Sequence, residues 1–157
     1  MREFLYQKET MPQKTYYIDS NIWLNLFKKE GDPTKGVPYW KIAKDFLEQV
    51  IFSEHQIAYS GFVLKELKYN LKDRRLFEEK KKFLEDESKF VFVKAKVEDY
   101  DYARKLESEH NFILSFFDCI HIAICQRLGF FLVTRDKLLM KIAKKYIEVN
   151  KPENLIS

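Results

Sequence analysis

Four carboxylates stand out by where they fall: Asp19, Glu66, Asp118 and Asp136. Asp19 closes the short apolar run Thr15-Tyr16-Tyr17-Ile18, and Asp136 comes three residues after the run Phe130–Val133. Glu66 lies about two turns into the helical pattern that follows a second apolar run. Asp118 sits among Phe116, Phe117, Cys119 and Ile120, in the first turn of a greasy helix. A carboxylate in such company is costly to bury unless it is paired, hydrogen-bonded or bound to a metal. Carboxylates gathered at one place repel and raise one another's pKa. A hard divalent cation, Mg²⁺ or Mn²⁺, relieves that repulsion. Such a cation also activates water and stabilises charge on a phosphate. No cysteine spacing suggests zinc, and there is no glycine-rich phosphate loop.

Each acid taken singly also has a structural reading. Asp19 and Asp136 suit the caps of the helices that follow them. Asp118 suits a helix N-terminus, where the macrodipole favours negative charge, although Ser115 is placed to cap the same helix. Glu66, between Lys65 and Lys68, reads as a solvated helical residue. His121 follows Asp118 by three residues on nearly the same helical face, within reach of a substrate phosphate. A packed core histidine is the blander reading, and His55 and His110 carry no argument.

The elements that must hold these residues alternate along the chain. Apolar runs at 15–18, 56–59, 90–93 and 130–133, with a short fifth at 147–149, read as strands. Helical spacing recurs at 22–27, 39–52, 62–71, 73–88, 97–109, 115–128 and 136–146. Residues 31–38 hold two of the four glycines and two of the four prolines and read as the one clear loop. Alternating strands and helices predict an α/β fold, a parallel sheet of about five strands covered on both faces. Ligands of such sheets bind beyond the carboxyl ends of the strands, where all four acids can meet.

Order, spacing and setting together resemble the PIN domain, a family of metal-dependent ribonucleases that includes VapC-type toxins. The matching pieces are Ile18-Asp19-Ser20-Asn21, the stretch Ser60 to Glu66, the stretch Asp118 to Ala123, and Leu132-Val133-Thr134-Arg135-Asp136. The resemblance spans about Thr15 to Ile156 and implies a three-layer α/β/α fold. It implies that Asp19, Glu66, Asp118 and Asp136 form a Mg²⁺ or Mn²⁺ site, with Ser20, Asn21 and Thr134 supporting it. It further implies an endoribonuclease leaving 3′-hydroxyl and 5′-phosphate ends. A homodimer and a small antitoxin partner belong to the same pattern. The competing reading is a catalytically silent scaffold that binds RNA or protein. Where the family often has Gly upstream of the third acid, this chain has Asn111-Phe112-Ile113.

Composition fits a single domain. The 157 residues suit one domain at 15–157 behind a loose tail at 1–14. At 46% hydrophobic and 33% charged the chain is not a disordered one. No apolar stretch approaches a spanning helix, and the polar start is no signal peptide. Cys119 and Cys125, roughly 9 Å apart on one helix, are too far for a disulfide, so a cytoplasmic protein is expected. The net charge is +4. Residues 134–151, with six bases and two acids, hold all of the excess. Arg135, Lys137, Lys141 and Lys144 are therefore the expected contacts to an RNA backbone.

Overall fold

Short runs of bulky apolar residues are stable as strands only when both faces are covered, and the sheet here meets that condition. In the computed structural model, which describes residues 13–157, β1 (Thr15–Ile18), β2 (Gln56–Ser60), β3 (Phe90–Val93), β4 (Phe131–Val133) and β5 (Val149–Asn150) form one sheet. Every pairing is parallel, in the order β3-β2-β1-β4-β5. The helices are α1 (Ser20–Phe27), α2 (Tyr39–Ile51), α3 (Gly61–Leu71), α4 (Arg74–Asp86), α5 (Val97–Glu109), α6 (Phe116–Leu128) and α7 (Lys137–Ala143). The chain winds from β1 outward to β3, then crosses back to β4 and β5. Right-handed crossovers in opposite directions place the helices on opposite faces, giving the three-layer α/β/α fold. The order reverses between β1 and β4, which makes that junction the switch point where a ligand crevice opens.

The core runs through both helical layers. Tyr17, Ile18, Trp23, Phe46, Ile57, Leu67, Leu84, Leu106, Ile120, Ile122 and Ile124 are almost completely buried. Trp23 packs edge-on to Phe90 and stacks with Phe27, tying α1 to the outer strand β3. Cys119 and Cys125 are both free and buried. Among the described residues no helix is long and apolar enough to cross a membrane.

Several boundaries differ from the sequence reading. Most of the expected tail, residues 1–12, lies outside the described residues. Lys14 is already tied to β2: its N–H donates to His55 Nδ1 and its carbonyl accepts from Gln56. Ser20 and Asn21 lie inside the first turn of α1 because Asp19 takes the cap. The last helix ends at Ala143, not Tyr146. Lys145 and Tyr146 donate to carbonyls three residues back, a tightening that turns the chain into β5. His110 Nε2 holds the Tyr146 hydroxyl at 2.7 Å across that turn. β5 accordingly begins at Val149, two residues later than expected.

Candidate metal centre

Asp19 sits where β1 ends and α1 begins. Its backbone N–H donates to the Val133 carbonyl of β4, which fixes it at the switch point. One carboxylate oxygen accepts the Ser20 N–H at 2.8 Å, and the other accepts the Thr134 hydroxyl at 2.7 Å. The capping and site readings of Asp19 are thus met by the same geometry. Burial pushes its pKa up, and the neighbouring Glu66 adds to this, although His121, Thr134 and the Ser20 N–H pull the other way.

Thr134 joins the two strand ends. Fully buried, it donates to Asp19 and accepts from Asp136 N–H at 3.1 Å and Asn21 Nδ2 at 3.3 Å. A hydroxyl offers one proton and two lone pairs, and all three are used. Asp136 caps α7 by accepting the Leu139 N–H at 3.0 Å and stays exposed at the rim.

Glu66 and Asp118 come from α3 and α6. His121 Nε2 lies 2.6 Å from Glu66 Oε1, and its Nδ1 lies 2.7 Å from the Tyr17 hydroxyl, which in turn meets Ser60 Oγ at 2.6 Å. Glu66 as a carboxylate can only accept, so Nε2 carries the proton. His121 is fully buried, as a core histidine would be, yet it is part of the site. Ligand atoms of Asp19, Glu66 and His121 lie within 4.8 Å of one another. Burial opposes charging of His121, but the Glu66 hydrogen bond and the charges of Glu66, Asp19 and Asp118 outweigh it, so its pKa rises. Ser115 caps α6 by accepting the Asp118 N–H, leaving the Asp118 carboxylate free. Burial, then Asp19, Asp136 and Glu66, push Asp118 up to about 6, partly opposed by His121. By geometry the ligand atoms gathered among the described residues are those of Asp19, Glu66 and His121; Asp118 and Asp136 lie outside that group.

The donor set fits a hard cation. Two carboxylates, Asp19 and Glu66, lie within 4.8 Å of each other and of His121 among the described residues. Asn21 Oδ1, beside Thr134, is a buried acceptor with no hydrogen-bond partner. Oxygen donors left under-satisfied in this way suit Mg²⁺ or Mn²⁺.

The predicted cations are placed unevenly. Lys137, Lys141 and Lys144 are exposed. Only the first two lie on α7, since Lys144 is its C-cap residue. Arg135 turns inward: its guanidinium stacks 4.0 Å from the centre of the Tyr39 ring and pairs with Glu153 at 2.8 Å. Its charge is therefore committed to packing the start of α2 against the C-terminal turn. The Tyr17–His121–Glu66 chain escaped the sequence reading. The signal for it was the three-residue step from Asp118 to His121, together with Tyr17 lying two residues before Asp19 on the same strand face.

A five-stranded parallel sheet with Asp19 at its β1/β4 switch point places the chain among three-layer α/β/α domains. The PIN domain pattern matches residues 16–145, and the chain belongs to the PIN domain family. No curated protein matches it in sequence. The crystal structure of VapBC2 from Rickettsia felis bound to promoter DNA is similar, with a TM-score of 0.65 at 18% identity over 87% of this chain and 98% of that one. A toxin–antitoxin complex from Klebsiella pneumoniae superposes with a TM-score of 0.63 at 23% identity, covering 87% and 97%. VapC20 of Mycobacterium tuberculosis, described as a sarcin-ricin loop cleaving toxin, gives 0.62 at 17% identity, covering 86% and 98%.

Proposed function

We propose that this chain is a Mg²⁺- or Mn²⁺-dependent endoribonuclease, the toxin half of a toxin–antitoxin pair. The observation that carries this reading is the convergence of Asp19, Glu66 and His121 within 4.8 Å, with Asp118 electrostatically coupled to them. The similar VapBC complexes and the cleaving activity named for VapC20 support the toxin reading. Asp19, Glu66 and Asp118 would hold the ion, with Asp136 completing the set at the rim. When bound, the ion supplies positive charge that lowers the pKa of a water and offsets charge on a phosphodiester. The protein's own groups do the positioning: Thr134 fixes Asp19, and His121 fixes Glu66. Ser20 contributes the N–H that holds the second oxygen of Asp19, and Asn21 offers a free amide oxygen. Lys137 and Lys141 track the RNA backbone, with Lys144 beyond them. A homodimer, a small antitoxin protein and a cytoplasmic setting belong to the same reading.

The test is cleavage of single-stranded RNA with Mg²⁺ or Mn²⁺. Asp19→Asn and Asp118→Asn are each expected to abolish it, and cleavage that survives both refutes the assignment. Calorimetric titration with Mn²⁺ separates the nuclease from the silent scaffold, because a scaffold binds none.

A further inference from the structure

The aromatic content, 16% of the chain, is not used up by the core. A pocket of about 150 Å³ opens beside the first turn of α3, lined by Gly61, Phe62, Lys65, Phe92, Lys94 and Tyr100. Phe92 is 54% exposed and Tyr100 44%. Single exposed apolar residues need no explanation. Two aromatic rings facing one concavity between two lysines do, and all the more when one of them lies on the edge strand β3, where an exposed apolar side chain invites aggregation. The pocket has no acidic lining residue. Among the described residues neither Lys65 nor Lys94 belongs to an ion pair.

The pocket opens at the same sheet edge as Asp19, since Gly61 follows the end of β2 and Lys94 the end of β3. Lys65 precedes Glu66 on α3. Phe62, the back wall, packs edge-on to Phe117 with ring centres 5.1 Å apart, and Asp118 is the next residue. Ser60 does not cap α3, since its hydroxyl is taken by Tyr17. The first-turn N–H groups of α3 are therefore left without a side-chain partner. A side chain added at Gly61 would meet nothing within 4 Å, so the space over that turn is open.

We propose that this pocket is a nucleobase subsite, in which a base of single-stranded RNA next to the scissile linkage stacks on Phe92 and Tyr100 while Lys65 and Lys94 hold the flanking phosphates. The proposal rests on the ribonuclease reading and adds to it where the substrate lies. Aromatic faces accept any base, and alanine substitution at such platforms weakens binding markedly.

The experiment is anisotropy titration of the full chain in EDTA, so that nothing is cut, with a labelled single-stranded RNA of about ten nucleotides and an abasic strand carrying the same phosphates. The wild type should prefer the intact strand about ten-fold. Phe92→Ala and Tyr100→Ala should erase that preference with abasic binding unchanged, and Phe92→Trp should keep it. Lys65→Ala and Lys94→Ala should weaken both strands and flatten the salt slope by about 0.7 each. The subsite is refuted if the aromatic variants bind the intact strand like wild type, or lose both strands equally. A change in self-association in place of RNA binding makes the face a protein contact and refutes it too. If the wild type binds neither strand the subsite is refuted, whereas the ribonuclease reading fails on a separate result, the absence of Mg²⁺- or Mn²⁺-dependent cleavage of the same RNA.

Discussion

Asp118→Asn should make the metal-free protein more stable while removing its capacity to bind the ion. Asp118 is pushed from 3.8 to about 6 by burial and by three neighbouring carboxylates. At 1.36 kcal/mol per pKa unit, keeping it ionised at neutral pH costs about 3 kcal/mol. The site is partly open to solvent, so screening leaves about half of that. Its carboxylate accepts no hydrogen bond from any described residue, so the amide sacrifices no partner. A carboxyl whose folded pKa lies above its unfolded one contributes fully below the unfolded value and loses that contribution as pH rises through the folded value. The gain from Asn is therefore absent near pH 4 and complete above about 7. A gain of about 1.5–3 kcal/mol in a domain of this size raises Tm by about 3–10 °C. Calorimetry in EDTA at the two pH values measures this directly. A variant no more stable than wild type at neutral pH, or equally stabilised at both, refutes the idea that the four acids repel as one cluster.

Other perturbations test the parts around the cluster. Thr134→Val strips Asp19 of a hydrogen bond and orphans Asn21 Nδ2 and the Asp136 N–H; a loss of about 2–3 kcal/mol in urea unfolding is expected, with Thr134→Ser restoring most of it. His121→Leu removes the group that orients Glu66 and should weaken Mn²⁺ binding about 10–100-fold in calorimetry, with Tyr17→Phe moving it less in the same direction. Far from the site, Asp99 is buried against Arg127, with two hydrogen bonds of 2.8 Å. Burial raises its pKa, but Arg127 and the Lys96 N–H outweigh that and hold it below the usual carboxylate range. Arg127→Ala should therefore cost about 3 kcal/mol at neutral pH, a gap in denaturant midpoints that closes only as pH falls below about 3.9. Phe112→Gly should stabilise by about 0.5–1 kcal/mol, since Phe112 is exposed and left-handed at φ 58°, beside Asn111 at φ 55°.

That last pair shows what a sequence conveys and what it withholds. At Asn111-Phe112-Ile113 the backbone makes a left-handed turn without a glycine. Phe112 N–H closes α5 on the Glu107 carbonyl, and Asn111 N–H closes it on Ser108. β1, β3 and β4 were legible because each is a continuous apolar run followed by a polar residue. Asp19 and Glu66 lie together because a parallel sheet sends the end of β1 and the helix after β2 to one edge. The role of His121 was not legible, since burial and participation in a site look the same from periodicity. The surroundings of Arg135 were not legible for a related reason: proximity to Asp136 in sequence says nothing about Tyr39 and Glu153, which reach it from elsewhere in the chain. The end of α7 was hidden because Lys144 to Tyr146 keep helical spacing, while strand pairing of β5 forces the turn.

The arrangement around Thr134 explains how a repelling cluster survives in a folded protein. Asp19, Asn21 and Asp136 come from both sides of the switch point, and one buried hydroxyl ties all three. On the opposite side, Tyr17 reaches from β1 to Ser60 of β2 and to His121 of α6, so Glu66 is held by an imidazole that Tyr17 holds in turn. Asp118 alone has no such strut, and it is the carboxylate whose pKa is driven to about 6. Rigid neighbours prevent the cluster from relaxing by moving apart, so the repulsion persists until a cation or a proton removes it. It follows that loosening Thr134 and neutralising Asp118 should both weaken metal binding yet shift metal-free stability in opposite directions, a divergence that a purely structural role for these residues does not produce.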